Sequence, residues 1–264
     1  MTRIFILAAL FLGCSCSSKN PNKFSDPNLL RIADFQDKRQ TDSLDQFLRS
    51  ENPVYRKEAA LAFASVQDTL ASVTLGSILL EDEDVEVRKA AAYALGQTGG
   101  FLAVNSLIPA TSDKDSNVVR EVLEALGKTL DKKDIETLTG YKAKDSLLQE
   151  GLAWGFYRLG LRGLADSIVI NRSREFLTTA YSLQTRLGAA HFFNRSPVLP
   201  IQNYAPELID AATADPNVYV RMAAASGLRK INSKESMEAV KKIVSTDKDY
   251  RVRCNGVRAL SAFT

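Results

Sequence analysis

The sequence predicts an all-α fold, a right-handed α-α superhelix of about seven stacked helical hairpins. Three observations carry that expectation. A thirteen-residue frame recurs seven times along the 264-residue chain. Within each copy the apolar positions fall at helical rather than strand spacing. Apolar residues make up 45% of the chain and charged residues 25%, the balance of a folded protein rather than a disordered one.

In chain order the N-terminus comes first. Met1-Thr2-Arg3 is a short positive segment, and Ile4 to Leu12 form an apolar run. A membrane-spanning helix needs about 20 apolar residues, so residues 1–13 read as a signal peptide. Phe11-Leu12-Gly13-Cys14 resembles the bacterial lipobox, in which a small residue admits the processing peptidase and the cysteine thiol receives the lipid. Cys14 is the expected lipid-attachment residue, with Cys16 as the alternative. The implied location is the bacterial cell envelope, the protein being held on a membrane by its lipid. Residues 14–27, rich in Ser, Asn and Pro, read as a flexible polar tether. Of the three cysteines only Cys254 lies in the repeats, so no disulfide framework is expected.

The repeats fill residues 28–264. DVEVRKAAAYALG at 84–96 recurs as NPVYRKEAALAFA (52–64), DSNVVREVLEALG (115–127), NVYVRMAAASGLR (217–229) and DYRVRCNGVRALS (249–261). Weaker copies stand at 145–157 and 182–194. With Arg88 as the reference, its equivalents are Arg56, Val119, Gln149, Arg186, Arg221 and Arg253, spaced 30 to 37 residues apart. That period marks a repeat architecture. An Asp, Asn or Pro-containing turn opens each copy, suited to a helix start. Positions three, four and seven past the reference, such as Ala91, Ala92 and Leu95, share one helix face. Gly96 and Gly127 stand where a left-handed cap would end the helix. Second amphipathic segments lie between copies, at 68–80, 101–110 and 234–244. Neither helix of a pair buries its apolar face alone, so the units must stack.

The frame D-x-x-V-R-x-x-A-A-x-A-L-G resembles the short HEAT-like repeat first associated with phycobilin lyases, and the likeness covers about residues 28–264. It implies a HEAT-repeat solenoid whose second helices line the concave side. It also implies a polar ladder in which Asp and Arg positions of successive repeats pair. Carried over residue by residue, the ladder falls on Arg56, Arg88, Arg186, Arg221 and Arg253, with breaks at Val119 and Gln149. Residues 34–68 and the copy that follows are similar to N-terminal regions of exported bacterial lipoproteins that carry a cyclophilin-type peptidyl-prolyl isomerase after their repeats. The isomerase's own motifs are absent from these residues.

The search for chemistry points away from catalysis. Some HEAT-repeat proteins are di-iron hydroxylases that hold metal through several His–Glu pairs, whereas this chain has one histidine, His191. Neither GxSxG nor a glycine-rich phosphate loop occurs. No catalytic residue, metal or cofactor is expected. Net charge is +3, with 34 Lys and Arg dispersed among 31 Asp and Glu, which argues against nucleic acid. The acidic run Glu81–Asp84 reads as a solvated loop, with Asp84 near a helix start.

A protein or extended-peptide partner remains. In HEAT solenoids the positions one and five past the reference tend outward, which points to Lys57, Lys89, Tyr93, Arg120 and Trp154, with Tyr157 nearby. Trp154 and Tyr157 have a plainer reading, packing against the irregular fifth unit. His191 reads as a partly exposed helix residue. Ala262 and Phe263 form an apolar edge with no polar capping unit in view, so a partner or further chain is expected there.

Overall fold

The structure, a computed structural model, describes residues 22–197, 204–231 and 233–263. The expected signal peptide and the candidate lipid-attachment residues, Cys14 and Cys16, lie outside the described residues. Among the described residues there are fifteen α-helices and no strand. A first helix, α1 (Pro27–Asp37), is followed by seven pairs. These are α2 (Thr41–Leu48) with α3 (Pro53–Val66), α4 (Ser72–Glu81) with α5 (Val85–Thr98), and α6 (Gly100–Ala110) with α7 (Ser116–Thr129). Next come α8 (Glu136–Thr139) with α9 (Ser146–Leu161) and α10 (Ser167–Glu175) with α11 (Leu183–Arg195). The series continues with α12 (Ala205–Ala214) and α13 (Val218–Leu228), then α14 (Lys234–Thr246) and α15 (Tyr250–Leu260).

The seven frames are the odd-numbered helices from α3 onward, and the first residue of every frame is their N-cap. Asn52, Asp84, Asp115, Asp145, Ser182, Asn217 and Asp249 each accept a hydrogen bond from a backbone N–H two or three residues on. This satisfies donors that the first helical turn leaves unpaired. Position three past the reference is at most 1% exposed from Ala59 to Ala224, and so is position seven from Phe63 to Leu228. The even-numbered helices face them with Leu44, Leu75, Leu107, Leu138, Val169, Leu208 and Val240, all fully buried. Each such side chain contributes about 1.5–3 kcal/mol.

The odd-numbered helices pack on one another in an unbroken series from α1 to α15. Between α6 and α12 the even-numbered layer has no comparable packing. The odd layer is thus the tighter of the two.

Three expectations are corrected here. Gly96 and Gly127 do not cap helices; they lie inside α5 and α7 and are buried. A Cβ on Gly127 would lie 2.2 Å from the Gly155 carbonyl oxygen, and one on Gly96 2.8 Å from the Ala125 Cβ. They are glycine because two helices touch there. The turn out of α5 is made instead by Gly99 and Gly100, at φ 72° and 85°. Secondly, ordered structure starts before residue 28. Residues 23–25 form a 3-10 turn, Asp26 caps α1, and the Tyr55 hydroxyl donates to Asp26 at 2.9 Å. Lys23 pairs with Glu58. Thirdly, the acidic run is not wholly solvated, since the Asp82 side chain is 6% exposed and paired with arginine.

Candidate protein-binding surface

The arginines build the scaffold on which any surface must stand. Arg56 clamps Asp82 with Nε and Nη2, at 2.7 and 2.8 Å. Arg88 holds Asp113, Arg186 holds Asp215, and Arg221 holds Asp247 in the same two-pronged way. Each also turns Nη1 back to a carbonyl oxygen of its own unit's loop, as Arg88 does to Asp82 and Glu83. The paired carboxylate is not the frame aspartate, which is spent on capping. It stands two residues earlier and accepts the backbone N–H of the cap itself. Burial draws the Asp82 carboxyl upward, but Arg56 and the Asp84 amide outweigh it and hold it below the ordinary carboxylate range. Asp247 is held low by Arg221 in the same balance. At the break in the series Arg172 reaches from α10 to the carbonyl oxygens of Thr139 and Tyr141, at 3.1 and 3.3 Å.

Position five of successive frames places Tyr93, Glu124, Trp154 and His191 side by side across α5, α7, α9 and α11. Tyr93 is 38% exposed, and the Lys128 ammonium lies 5.1 Å above its ring. Glu124 accepts from Arg158 at 2.8 and 3.1 Å and lies 3.5 Å from Lys128. Burial pushes Glu124 up, yet those two cations hold it below its usual value. Its neighbour Glu121 is pushed up, by burial first and then by Glu124. His191 lies 5.9 Å from both the Trp154 and Tyr157 rings. Burial, and then Arg195, push the imidazole down, so it is neutral near pH 7.

The expected surface residues divide. Tyr93 is exposed on the odd layer and Trp154 half-buried beside it. Tyr157, only 9% exposed, packs edge-on against Trp154 and belongs to the core. Lys57, Lys89 and Arg120 are matched by acids of their own neighbourhood, Glu58, Glu86 and the pair Glu121 and Glu150. Their charge is therefore largely cancelled. Position nine past the reference carries cations the sequence reading did not single out: Lys128, Arg158 and Arg195 on α7, α9 and α11, and Lys230 in the turn that follows α13. Arg195 is exposed. Lys230 donates to the carbonyl oxygens of Phe193 and Ser196. Burial, then Arg229 and Arg195, bring its pKa down to about 8. The signal was legible, since position nine lies one helical turn beyond position five.

Among the described residues no group of three or more His, Cys, Asp or Glu is placed to hold a metal ion, and no helix is long and apolar enough to cross a membrane. A family model described as HEAT repeats matches residues 41–127, 72–155 and 205–264. No curated protein matches the chain. Among solved structures, the complex of CpcE and CpcF of phycocyanin lyase from Nostoc is similar at a TM-score of 0.53 and 17% identity, over 85% of this chain and 94% of that one. An archaeal HEAT-like repeat protein from Thermococcus onnurineus has a TM-score of 0.45 at 15% identity, over 92% of this chain and 98% of its own. At these identities the likeness concerns the fold.

Proposed function

Because the chain belongs to the HEAT-repeat family, we propose that it is a non-catalytic scaffold whose odd-numbered layer holds an extended, acidic peptide segment of a partner protein. The observation that carries this is the exposed Arg195 on the same layer as the exposed Tyr93 and the half-buried Trp154 and His191 of position five. Aromatic faces and arginines are the groups that dominate binding energy at interfaces, and a carboxylate-bearing segment laid across the helices would meet Arg195. A related fold works within a two-protein complex, that of CpcE and CpcF, which accords with a binding role. The test is selection from a random-peptide phage library, with enriched peptides measured by calorimetry. Acidic sequences should be enriched, and Tyr93→Ala with Arg195→Glu should weaken them at least tenfold while helical circular dichroism is unchanged. Absence of enrichment, or equal affinity for the variant, overturns the reading.

The lipobox-like segment supports a further element of the same proposal, that the scaffold is tethered to the bacterial envelope through Cys14. Labelling with a radioactive fatty acid should be lost in Cys14→Ser. Label retained there but lost in Cys16→Ser moves the attachment to the second cysteine. The likeness of residues 34–68 to isomerase-bearing lipoproteins supports a second reading, an arm that serves a cyclophilin-type domain outside this chain. Prolyl isomerisation by these 264 residues themselves would contradict both readings.

A further inference from the structure

Four even-numbered helices, α2, α8, α12 and α14, carry an acid in the first turn, namely Asp42, Glu136, Glu207 and Glu235. The neighbours α4 and α6 differ. No charged residue occurs from Thr69 to Leu80 or from Gly99 to Ser112. The two helices pack side by side, so closely that a Cβ on Gly76 would collide with the Ser106 Oγ. That register sets their starts level. Leu70 and Val73, at the start of α4, are 84% and 62% exposed, and Phe101 and Leu102, at the start of α6, are 74% and 48% exposed. Leu70 and Phe101 are the two most exposed large apolar side chains among the described residues. An apolar cluster held in water in this way marks a contact surface.

We infer that this edge, Leu70 and Val73 beside Phe101 and Leu102, docks on a lipid surface that bears anionic headgroups. Charge around the edge is complementary. The turns that join one unit to the next lie along it, where Arg39 reaches the Val66 carbonyl oxygen and Arg162 that of Leu130. At residues 38–40, 67–71, 130–135, 162–166 and 229–233 these turns hold seven Lys or Arg and four Asp. The turns inside the units, at 49–52, 82–84, 111–115, 140–145, 215–217 and 247–249, hold five Lys or Arg and ten Asp or Glu. A negative surface would attract the first set and repel the second, which turns the starts of α4 and α6 toward the lipid. Exposed Lys133 lines one cleft with Phe101, so a headgroup can meet a cation where the ring enters. A tether from Cys14 allows this. The eight residues from Cys14 to Asn22 reach at most about 28 Å, more than the length of about 21 Å of the fourteen-residue α3. That point alone rests on the Cys14 reading. A protein partner is a poorer occupant, since a stable interface takes about 800 Å² from each side, more than four side chains supply. Two copies set edge to edge would oppose their cations.

The test uses the full chain with Cys14→Ser, Cys16→Ser and Cys254→Ser, to which no lipid can attach. One fluorescent label is placed at Thr69→Cys, beside Leu70, or at Lys248→Cys on the opposite edge. The probe is a vesicle of phosphatidylglycerol and phosphatidylcholine with a nitroxide quencher on its acyl chains. Quenching at residue 69 should exceed that at residue 248 at least threefold, and should fall at least fivefold on vesicles of phosphatidylcholine alone. Leu70→Ser with Phe101→Ser should abolish it while helical circular dichroism is unchanged. Equal quenching at the two sites, none at residue 69, or quenching retained in the double variant overturns the proposal. The result is separate from fatty-acid labelling. Quenching at residue 69 with no acylation would leave the docking edge and remove the tether, and acylation without quenching would do the reverse. A dimer seen by sedimentation and dissolved by Phe101→Ser would give the edge to a second copy and overturn the proposal.

Discussion

The arginine at the reference position of four units is a structural clamp, and its energetics differ from those of the exposed ion pairs around it. Arg88 and Asp113 have side chains 2% and 9% exposed, so removing one partner strands the other in a poorly hydrated junction. Arg88→Ala should cost about 3–5 kcal/mol by urea denaturation, whereas Lys241→Ala, which breaks an exposed pair with Glu238, should cost less than about 1 kcal/mol. Similar losses from the two would refute the clamp. The carboxylates also set the acid response. Asp82 and Asp247 titrate below their unfolded value. The stability they contribute is therefore complete above about pH 4 and is lost as pH falls through their folded values. Taking pH from 5 to 3 should lower the urea midpoint, and Asp82→Asn with Asp247→Asn should flatten part of that fall. Lys230 acts with the opposite sign. Its pKa of about 8 lies below that of an unfolded lysine, so the unfolded chain binds the extra proton and stability rises between about pH 8 and 10.5. Lys230→Met should remove that rise.

At the scale of elements, the contact between α7 and α9 is set by absent side chains. A Cβ on Gly155 would lie 2.6 Å from the Leu123 carbonyl oxygen, and one on Gly151 2.8 Å from that of Arg120. These neighbours are backbone atoms, which cannot swing aside. Gly155→Ala should therefore destabilise by about 1–3 kcal/mol, although alanine favours a helix over glycine by about 1 kcal/mol. A stabilised variant would mean the helices are not so close. The frame shows why sequence alone misplaced Gly96 and Gly127. A residue at the end of an apolar run suits a cap or a contact equally, and only the neighbouring helix tells which. The capping residues were readable because a cap is satisfied within its own three residues.

Across the whole molecule, stability is shared among junctions between neighbouring units, so local weakness should appear as local opening. The weakest element is α8, a single turn of four residues, too short to be helical by itself. Amides of residues 136–141 should exchange at least tenfold faster than those at the centre of α9. Equal protection would mean that the irregular fourth unit is as firmly held as the rest.

The sequence by itself determined the repeat, its period, the helix starts and the arginine half of the clamp, because each is a local pattern repeated at fixed spacing. Only the tertiary structure decided which charges remain available. Lys57, Lys89 and Arg120 are cancelled by adjacent acids, Tyr157 is buried, Lys128 and Arg158 are spent on Glu124, and Arg195 is left exposed. Charge and burial depend on distances between segments some thirty residues apart, and those distances exist only once the helices have stacked.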